Sequence, residues 1–321
     1  MKRAILLPGQ GAQHVGMGSE FLDEKPARDV FERASGALDL NLAALCSEGP
    51  EAELGRTEVC QPAILTTSIA ILEAARARGA SLDAIEATAG LSLGEYTALV
   101  FAGALEFEDA VRLVRKRGRY MQECSDAKPS GMVSLLGADE ETAAKICDKA
   151  REGDVAGVAN LNGAGQVVVS GDTAAMERVV EIAGEFGIRR AIPLKVSGAF
   201  HSELMRGAAD QLESDLADIE IRSPRITFLS NVTGAPVTYP EAIRKHLGEQ
   251  VCSPVRWEQT MQWLVAEGFD TFVEPGPGKV LSGLAKKIER SATVLSIGVP
   301  DDVAGLGEAL AASDASAGGS R

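Results

Sequence analysis

Short apolar runs alternate with longer amphipathic segments along most of this 321-residue chain. The short runs lack alternating polar positions, which is typical of strands that are buried on both faces. The longer segments at 63–78 and 109–123 repeat apolar residues at helical spacing. This alternation predicts an α/β fold in which helices cover a parallel sheet, as in a large α/β-hydrolase-like domain. The predicted strands are 4–7, 87–91, 226–229, 271–273 and 293–297.

The segment between residues 132 and 194 has a different order of elements. Helical patterns at 140–150 and 174–186 are interleaved with four short strands in the order βαββαβ, which is that of a ferredoxin-like unit. We expect this unit to be inserted into the larger domain and to form the second wall of a cleft. The predicted divisions are a large catalytic domain at 1–127 and 198–310, an inserted ferredoxin-like subdomain at 128–197 and a flexible tail at 311–321.

Composition narrows the classes of function and location. The chain is 45% hydrophobic and 24% charged, as expected for a globular protein, and its net charge of -14 argues against nucleic acid as a partner. The first apolar run stops at Pro8, and no segment approaches the length of a membrane span, so we expect no membrane association. The five cysteines are scattered without CxxC spacing, which predicts a cytoplasmic protein without a cysteine-based metal site.

The pentapeptide GLSLG at 90–94 has the form of a nucleophile elbow. It places Ser92 between a predicted strand and a predicted helix, where flanking glycines allow a tight turn. The helix N-terminus would supply N–H groups that stabilise an oxyanion during acyl transfer. The spacing alone also fits an ordinary turn, so the assignment depends on further residues.

A serine nucleophile needs a base, and the chain contains the histidines His14, His201 and His246. His246 lies in a helical stretch with charged neighbours, typical of a solvated face. His201 is the best candidate because it follows the predicted insertion, where the chain returns to the cleft. The alternative is a structural histidine that caps a helix at 203–212.

Arg117 lies on the apolar stripe of its predicted helix, in register with Ala110, Val114 and Met121. A guanidinium that faces a core needs an anionic partner. An internal Asp or Glu is the commoner partner, and a substrate carboxylate is the other. The glycine- and glutamine-containing loop at 8–13 suits an oxyanion hole better than a phosphate loop, because it lacks GxGxxG and a P-loop lysine.

Five motifs, taken together and in this order, resemble the malonyl-CoA:acyl carrier protein transacylase family. The motifs are GQGAQ at 9–13, GLSLGEY at 90–96, Arg117-Gly118, GAFHS at 198–202 and EPGPGKVLSGL at 274–284. The resemblance extends from about residue 3 to residue 299. It implies transfer of a malonyl group from malonyl-CoA through a seryl ester to the phosphopantetheine thiol of acyl carrier protein in fatty acid biosynthesis.

The resemblance also implies the roles of the catalytic residues. Ser92 would carry the acyl group and His201 would be its base, with the backbone carbonyl of Gln250 orienting the histidine in place of a triad aspartate. The backbone N–H groups of Gln10 and Leu93 would form the oxyanion hole. No cofactor and no metal are implied, because the coenzyme A thioester is itself a substrate, and a monomer is expected.

Substrate-binding residues follow from the same resemblance. Arg117 matches the arginine that pairs with the malonyl carboxylate, and Asn160, Asn162 and Gln166 match a segment that faces the cleft. Phe200 matches the position that selects malonyl over branched methylmalonyl groups. One departure is Leu91, because the family usually has histidine there.

Three other functions stay open on the sequence. A serine esterase or thioesterase would share the elbow but use water as acceptor, and Arg117 argues against it. A polyketide-type acyltransferase would use another acyl-CoA, and a non-catalytic scaffold would bind carrier protein without carrying an acyl group.

Overall fold

The computed structural model describes residues 2–311, so the predicted flexible tail lies almost entirely outside the described residues. The strands are β1 (Lys2–Leu7), β2 (Ala87–Gly90), β3 (Ser130–Leu136), β4 (Ala156–Gly163), β5 (Gln166–Asp172), β6 (Arg190–Pro193), β7 (Thr227–Ser230), β8 (Ala235–Pro236), β9 (Phe269–Pro275) and β10 (Thr293–Ile297). The α-helices are α1 (Lys25–Leu38), α2 (Leu42–Glu48), α3 (Glu51–Leu54), α4 (Thr57–Ala77), α5 (Gly94–Phe101), α6 (Phe107–Ala127), α7 (Glu140–Arg151), α8 (Thr173–Ile182), α9 (Arg206–Ala217), α10 (Pro240–Gln250), α11 (Trp257–Ala266), α12 (Val280–Ile288) and α13 (Asp302–Ala311).

The larger sheet has six strands in the order β10-β9-β1-β2-β7-β8. Its first five strands pair in parallel, and the short β8 pairs antiparallel with β7 at one edge. The five strands predicted from apolar runs are therefore present and form one parallel array. The protein has the mixed α/β architecture, with a largely parallel sheet and covering helices, that the alternation of elements predicts.

Strand β1 shows why its sequence forms a central strand. Its residues Ala4 to Leu7 are fully buried. Ile5 and Leu7 contribute to one apolar core, and Ala4 and Leu6 contribute to a second core on the opposite face. Side chains alternate between the faces of a strand, so both faces of this sheet must be covered.

The second sheet is formed by β3 to β6 in the order β4-β5-β3-β6, and its neighbouring strands are antiparallel. Helices α7 and α8 follow β3 and β5, and a separate apolar cluster lies between this sheet and its helices. Strand β4 also touches the rest of the protein, since the N–H of Leu161 donates to the carbonyl of Val255 at 2.9 Å. This contact fixes the second sheet beside the larger one.

Helix α4 differs most from its prediction, because it begins at Thr57 rather than at residue 63 and contains Pro62. Proline costs a helix one hydrogen bond, but nearly every residue of this helix is buried, and the packing outweighs that cost. The additional residues 57–62 include Gln61, whose side chain accepts a hydrogen bond from Arg117. Among the helices between residues 2 and 311, none has the length and apolar character that crossing a membrane requires.

Candidate active site

Ser92 occupies a strained turn between β2 and α5. Its φ of 53° is left-handed, a conformation that serine rarely adopts. A Cβ atom at Gly90 would lie 1.9 Å from the carbonyl oxygen of Gly94, and one at Gly94 would lie 2.1 Å from that of Leu7. Both glycines are therefore required by backbone packing, and the turn is an elbow rather than an ordinary loop.

The hydroxyl of Ser92 lies 2.8 Å from Nε2 of His201, whose Nδ1 lies 2.9 Å from the backbone carbonyl oxygen of Gln250. Because a carbonyl only accepts, Nδ1 carries the proton and Nε2 is free to accept from the serine. Burial, followed by the nearby charge of Arg117, lowers the pKa of His201 to about 4. His201 is thus neutral at pH 7 and can act as a base. The capping alternative is wrong, since the side chain of Ser202 caps the following 3-10 turn.

Arg117 is 1% exposed and lies beside the serine. Its Nη2 donates to the Ser92 hydroxyl at 3.1 Å and to the side-chain oxygen of Gln250 at 2.8 Å, and its Nη1 donates to the side-chain oxygen of Gln61 at 2.8 Å. Gly118 permits this arrangement, because a Cβ atom there would lie 2.4 Å from the backbone oxygen of Thr57 on α4. All these acceptors are neutral groups.

No carboxylate within residues 2–311 forms a salt bridge with Arg117. The internal ion pair, which the sequence favours as the commoner arrangement, is therefore wrong. The ring of Tyr96 lies 5.5 Å from the guanidinium and gives it a cation–π contact. A buried cation whose direct hydrogen-bond acceptors are all neutral is a site that an anionic group can occupy with a gain in Coulomb energy.

A cleft of about 610 Å³ opens over Ser92 and His201. The second sheet supplies Asn160, Asn162 and Gln166 to its lining, and the main sheet supplies Gln10 after β1. Phe200 lines the cleft next to His201 and is 7% exposed. The structure therefore brings these predicted residues together around the serine.

The cleft also contains cationic side chains and the unusual Leu91. Lys195, Lys279 and Lys287 line it, the last two on or beside α12. Leu91 is half-buried and lines the cleft, its side chain packs against the apolar core that contains Ala4 and Leu6, and its backbone N–H donates to Leu7 at 3.1 Å. Its side chain leaves the contacts of Ser92 with His201 and Arg117 untouched.

Sequence reasoning missed three polar residues of the site. Asn231 follows β7, and its side chain accepts from the N–H of Ser92 at 2.6 Å and donates to the carbonyl of Gly90 at 2.7 Å. Gln61 holds Arg117, and Glu95 is fully buried in the first turn of α5. A charged residue in the apolar helix α5, and a polar one at the carboxyl end of a parallel strand, are the signals that could have found two of them.

The remaining histidines do not line this cleft. His14 is near the surface, with Nδ1 at 3.4 Å from the carbonyl oxygen of Ala12, and His246 is half-buried on α10. No cluster of three or more His, Cys, Asp or Glu side chains that could hold a metal ion occurs in the part of the chain that the structure describes.

Residues 5–299 match the family model for the acyl transferase domain. A malonyl CoA-acyl carrier protein transacylase of Bacillus subtilis (strain 168) is 46% identical over 304 residues, which cover 94% of this chain and 95% of the relative. The solved structure of the malonyl CoA-acyl carrier protein transacylase from Coxiella burnetii matches with a TM-score of 0.93 and 38% identity, over 97% of this chain and 98% of that one. A solved complex of a type II PKS acyl-carrier protein with its malonyl-transacylase contains a chain that is 36% identical, with a TM-score of 0.92 and coverage of 96% and 100%.

Proposed function

The chain belongs to the acyl transferase domain family, and we propose that it transfers a malonyl group from malonyl-CoA through Ser92 to the phosphopantetheine thiol of acyl carrier protein in fatty acid biosynthesis. The observation that carries the proposal is the buried guanidinium of Arg117, which lies 3.1 Å from the nucleophilic hydroxyl and has no ionic partner among the salt bridges of residues 2–311. A general esterase has no need of such a cation. The names of the relatives at high identity point to the same reaction.

The reaction proceeds in two halves at one serine. In the first, His201 takes the proton of the Ser92 hydroxyl, Oγ attacks the thioester carbonyl, and the coenzyme A sulfur leaves with that proton. In the second, His201 takes the proton of the carrier thiol, whose sulfur attacks the seryl ester and returns Ser92 with a proton. The hydrogen bond from Nδ1 to the carbonyl of Gln250 holds the imidazole in the required tautomer through both halves.

The oxyanion hole is proposed to consist of the backbone N–H groups of Gln10 and Leu93. These residues follow the neighbouring parallel strands β1 and β2, and Leu93 immediately precedes α5. Within the described part of the chain, neither N–H donates to a protein acceptor. Two free donors at adjacent strand ends, one of them at a helix N-terminus, can stabilise the oxygen of a tetrahedral intermediate.

The substrate is proposed to be held along the cleft. Arg117 pairs with the free carboxylate of the malonyl group, and Asn160, Asn162 and Gln166 supply amide contacts from the second sheet. Phe200 crowds the α-carbon and disfavours methylmalonyl groups. The cleft lysines suit the phosphates of coenzyme A, and no cofactor is needed, because Ser92 and His201 supply both the nucleophile and the base.

The domain organisation is proposed to follow the predicted divisions, with an α/β-hydrolase-like domain at 1–127 and 198–310 and a ferredoxin-like subdomain at 128–197. The order β3-α7-β4-β5-α8-β6, the strand order β4-β5-β3-β6 and a separate apolar core support the subdomain. Such an arrangement explains how one cleft can have walls from both sheets.

The function is tested by exposing the protein to malonyl-CoA with and without acyl carrier protein. We expect one malonyl group to appear on the protein by intact mass and to move to a fatty-acid carrier when that carrier is added. Sustained release of coenzyme A without a carrier would instead identify a thioesterase. Absence of any label would indicate a carrier-binding scaffold, and labelling from another acyl-CoA alone, or transfer to a polyketide carrier alone, would indicate a polyketide-type enzyme.

Replacement of Leu91 by histidine is expected to change the loading rate by no more than about tenfold. The side chain at position 91 lies between the core and the cleft, and the hydrogen bonds of Ser92 with His201 and Arg117 do not involve it. Steady-state loading with malonyl-CoA over a range of pH measures the effect. A loss of most activity would show that the elbow of this chain depends on an apolar side chain here.

A further inference from the structure

Glu95 is a buried carboxylate that the reaction proposed above does not use. It is 0% exposed and lies in the first turn of α5, three residues after the nucleophile. Its Oε1 accepts from the backbone N–H of Asn231 at 3.1 Å, and its Oε2 accepts from the side-chain nitrogen of Gln250 at 2.5 Å. Burial of a carboxylate costs several kcal/mol unless its oxygens are satisfied, so these contacts are required by the fold.

The side-chain amide of Gln250 links Glu95 to Arg117. Its Nε2 donates to Glu95 and to the backbone carbonyl of Ser92, the latter at 2.9 Å, and its Oε1 accepts from Nη2 of Arg117 at 2.8 Å. With the amide reversed, Oε1 would face two acceptors and Nε2 would face a cation. The carboxylate on one side and the guanidinium on the other therefore select one orientation of the amide.

Glu95 also accepts a hydrogen bond from Asn231, the residue that fixes the turn at Ser92. The side chain of Asn231 bonds both the N–H of Ser92 and the carbonyl of Gly90, and its own backbone N–H donates to Glu95. The backbone carbonyl of Gln250 is the acceptor for His201. One carboxylate thus anchors the ends of β7 and α10, and these two segments supply the contacts of the elbow, the base and the arginine.

We propose that Glu95 is a positioning residue for acyl transfer, whose ionised carboxylate fixes Gln250 and Asn231 and through them the orientation of Arg117, His201 and the Ser92 elbow. The inference rests on the proposed function, since the reaction at Ser92 is what this arrangement serves. Glu95 itself does not touch the substrate, because it is fully buried and the side chain of Gln250 lies between it and Arg117.

The pKa of Glu95 differs from those of the ionisable groups around it. Burial raises the pKa of Glu95 to about 7, against the opposing effects of Gln250, Asn231, Ser230 and the charge of Arg117. The titratable groups whose charges act on Glu95 are Arg117 from α6 and Tyr96 on its own helix, and Cys60 from α4 and His201 interact in turn with Arg117. The pKa values of Tyr96 and Cys60 are raised to about 12 and that of His201 is lowered to about 4, so within this set only Glu95 changes charge near neutral pH.

Protonation of Glu95 turns one of its acceptor oxygens into a donor. The side chain of Gln250 then loses the anion that fixes its orientation, and Arg117 loses a well-placed acceptor. We therefore expect kcat/KM for malonyl loading to fall as the pH drops through about 7. The variant E95Q, which cannot ionise, should show a value about tenfold to a hundredfold lower than the wild-type enzyme at high pH, without this acid limb.

The test measures kcat/KM for malonyl-CoA loading of wild type, E95Q and E274Q between about pH 5.5 and about pH 8.5. Glu274 is the matched control, because it is also buried with a raised pKa but accepts from the backbone N–H groups of Leu281 and Ser282 at the start of α12. The E274Q variant should keep the acid limb, and E95Q should lose it. The phosphates of coenzyme A also titrate in this pH range, but they affect the rates of all three proteins equally. The difference between the pH profiles therefore comes from the protein.

An E95Q variant that keeps the acid limb, or keeps full activity, overturns the inference and leaves the proposed function standing. If the wild-type protein accepts no malonyl group at any pH, the proposed function is wrong, and the inference about Glu95 is wrong as well. If E95Q does not fold, the decision comes from E274Q labelled with ¹³C-glutamate, in which Glu95 is the remaining glutamate within residues 2–311 whose pKa is raised. A ¹³C-carboxyl infrared band that titrates near neutral pH must then share its midpoint with the loading rate of the same variant, and a midpoint far from that of the rate overturns the inference.

Discussion

Replacement of Ser92 by alanine is expected to abolish the covalent malonyl–enzyme and to reduce malonyl transfer by on the order of a thousandfold or more. The hydroxyl is the group that His201 can deprotonate at 2.8 Å, and alanine offers no atom to carry the acyl group. Alanine also removes an acceptor from Arg117, which keeps its contacts with Gln61 and Gln250. Intact mass after brief exposure to malonyl-CoA measures the label directly.

A matched control for this variant is Ser282→Ala. Ser282 is a buried serine on α12 whose hydroxyl lies 2.7 Å from that of Ser296. Its replacement removes a buried hydroxyl without touching the elbow, so labelling should persist. A Ser92→Ala protein that still gains one malonyl group would place the acyl-carrying residue elsewhere and would contradict the mechanism.

Ser92, the proposed nucleophile, could be identified as a candidate from the sequence because the requirements of an elbow are local. The glycines on either side of Ser92 predict a tight turn without room for Cβ atoms. In the structure, a Cβ atom at Gly90 or at Gly94 would clash with the backbone. His201 could be proposed because the order of elements places it where the chain leaves the second sheet. In both cases the local pattern and the order of elements identified the candidate, and the family resemblance was needed to favour it over an ordinary turn or a capping histidine.

The residues that support the nucleophile could not be predicted in this way. Glu95 and Gln250 are 155 positions apart, and Asn231 is 139 positions from Ser92. Such contacts depend on which strand ends and helix ends lie next to each other in the fold. Hydrophobic periodicity along the sequence does not predict that arrangement. The role of Gln250 was implied only by the family resemblance. Gln61 was missed for a further reason, because the helical pattern predicted at 63–78 starts after Pro62 and leaves Gln61 outside it.

For Arg117, periodicity predicts the burial of the side chain but not its partner. The apolar stripe of α6 predicts correctly that the guanidinium is buried, but base rates then favour an internal carboxylate. The structure supplies neutral acceptors, with Glu95 reached only through Gln250. A cation that is held in place and not neutralised by direct contact is suited to a substrate anion, and this is a property of the assembled site.

Replacement of Arg117 by alanine is expected to lower malonyl loading far more than acetyl loading. The carboxylate of the malonyl group loses its charge-assisted hydrogen bonds, worth about 1.5–3 kcal/mol, so the preference for malonyl over acetyl should fall by about tenfold to a hundredfold. Acetyl loading also suffers, because Gln61 and Gln250 lose their shared donor, and the ratio of the two rates separates this structural effect from the loss of the anion contact.

The matched control is Arg112→Ala on the same helix, where the side chain is half exposed and pairs with Asp109 three residues earlier. Its loading rates for both acyl groups should stay close to those of the wild-type protein, since exposed ion pairs contribute little. Competition between malonyl-CoA and acetyl-CoA, read by intact mass, gives the ratio in one sample. Equal losses for the two acyl groups in Arg117→Ala would make the arginine a structural residue, and substrate selection would then have to come from another part of the cleft.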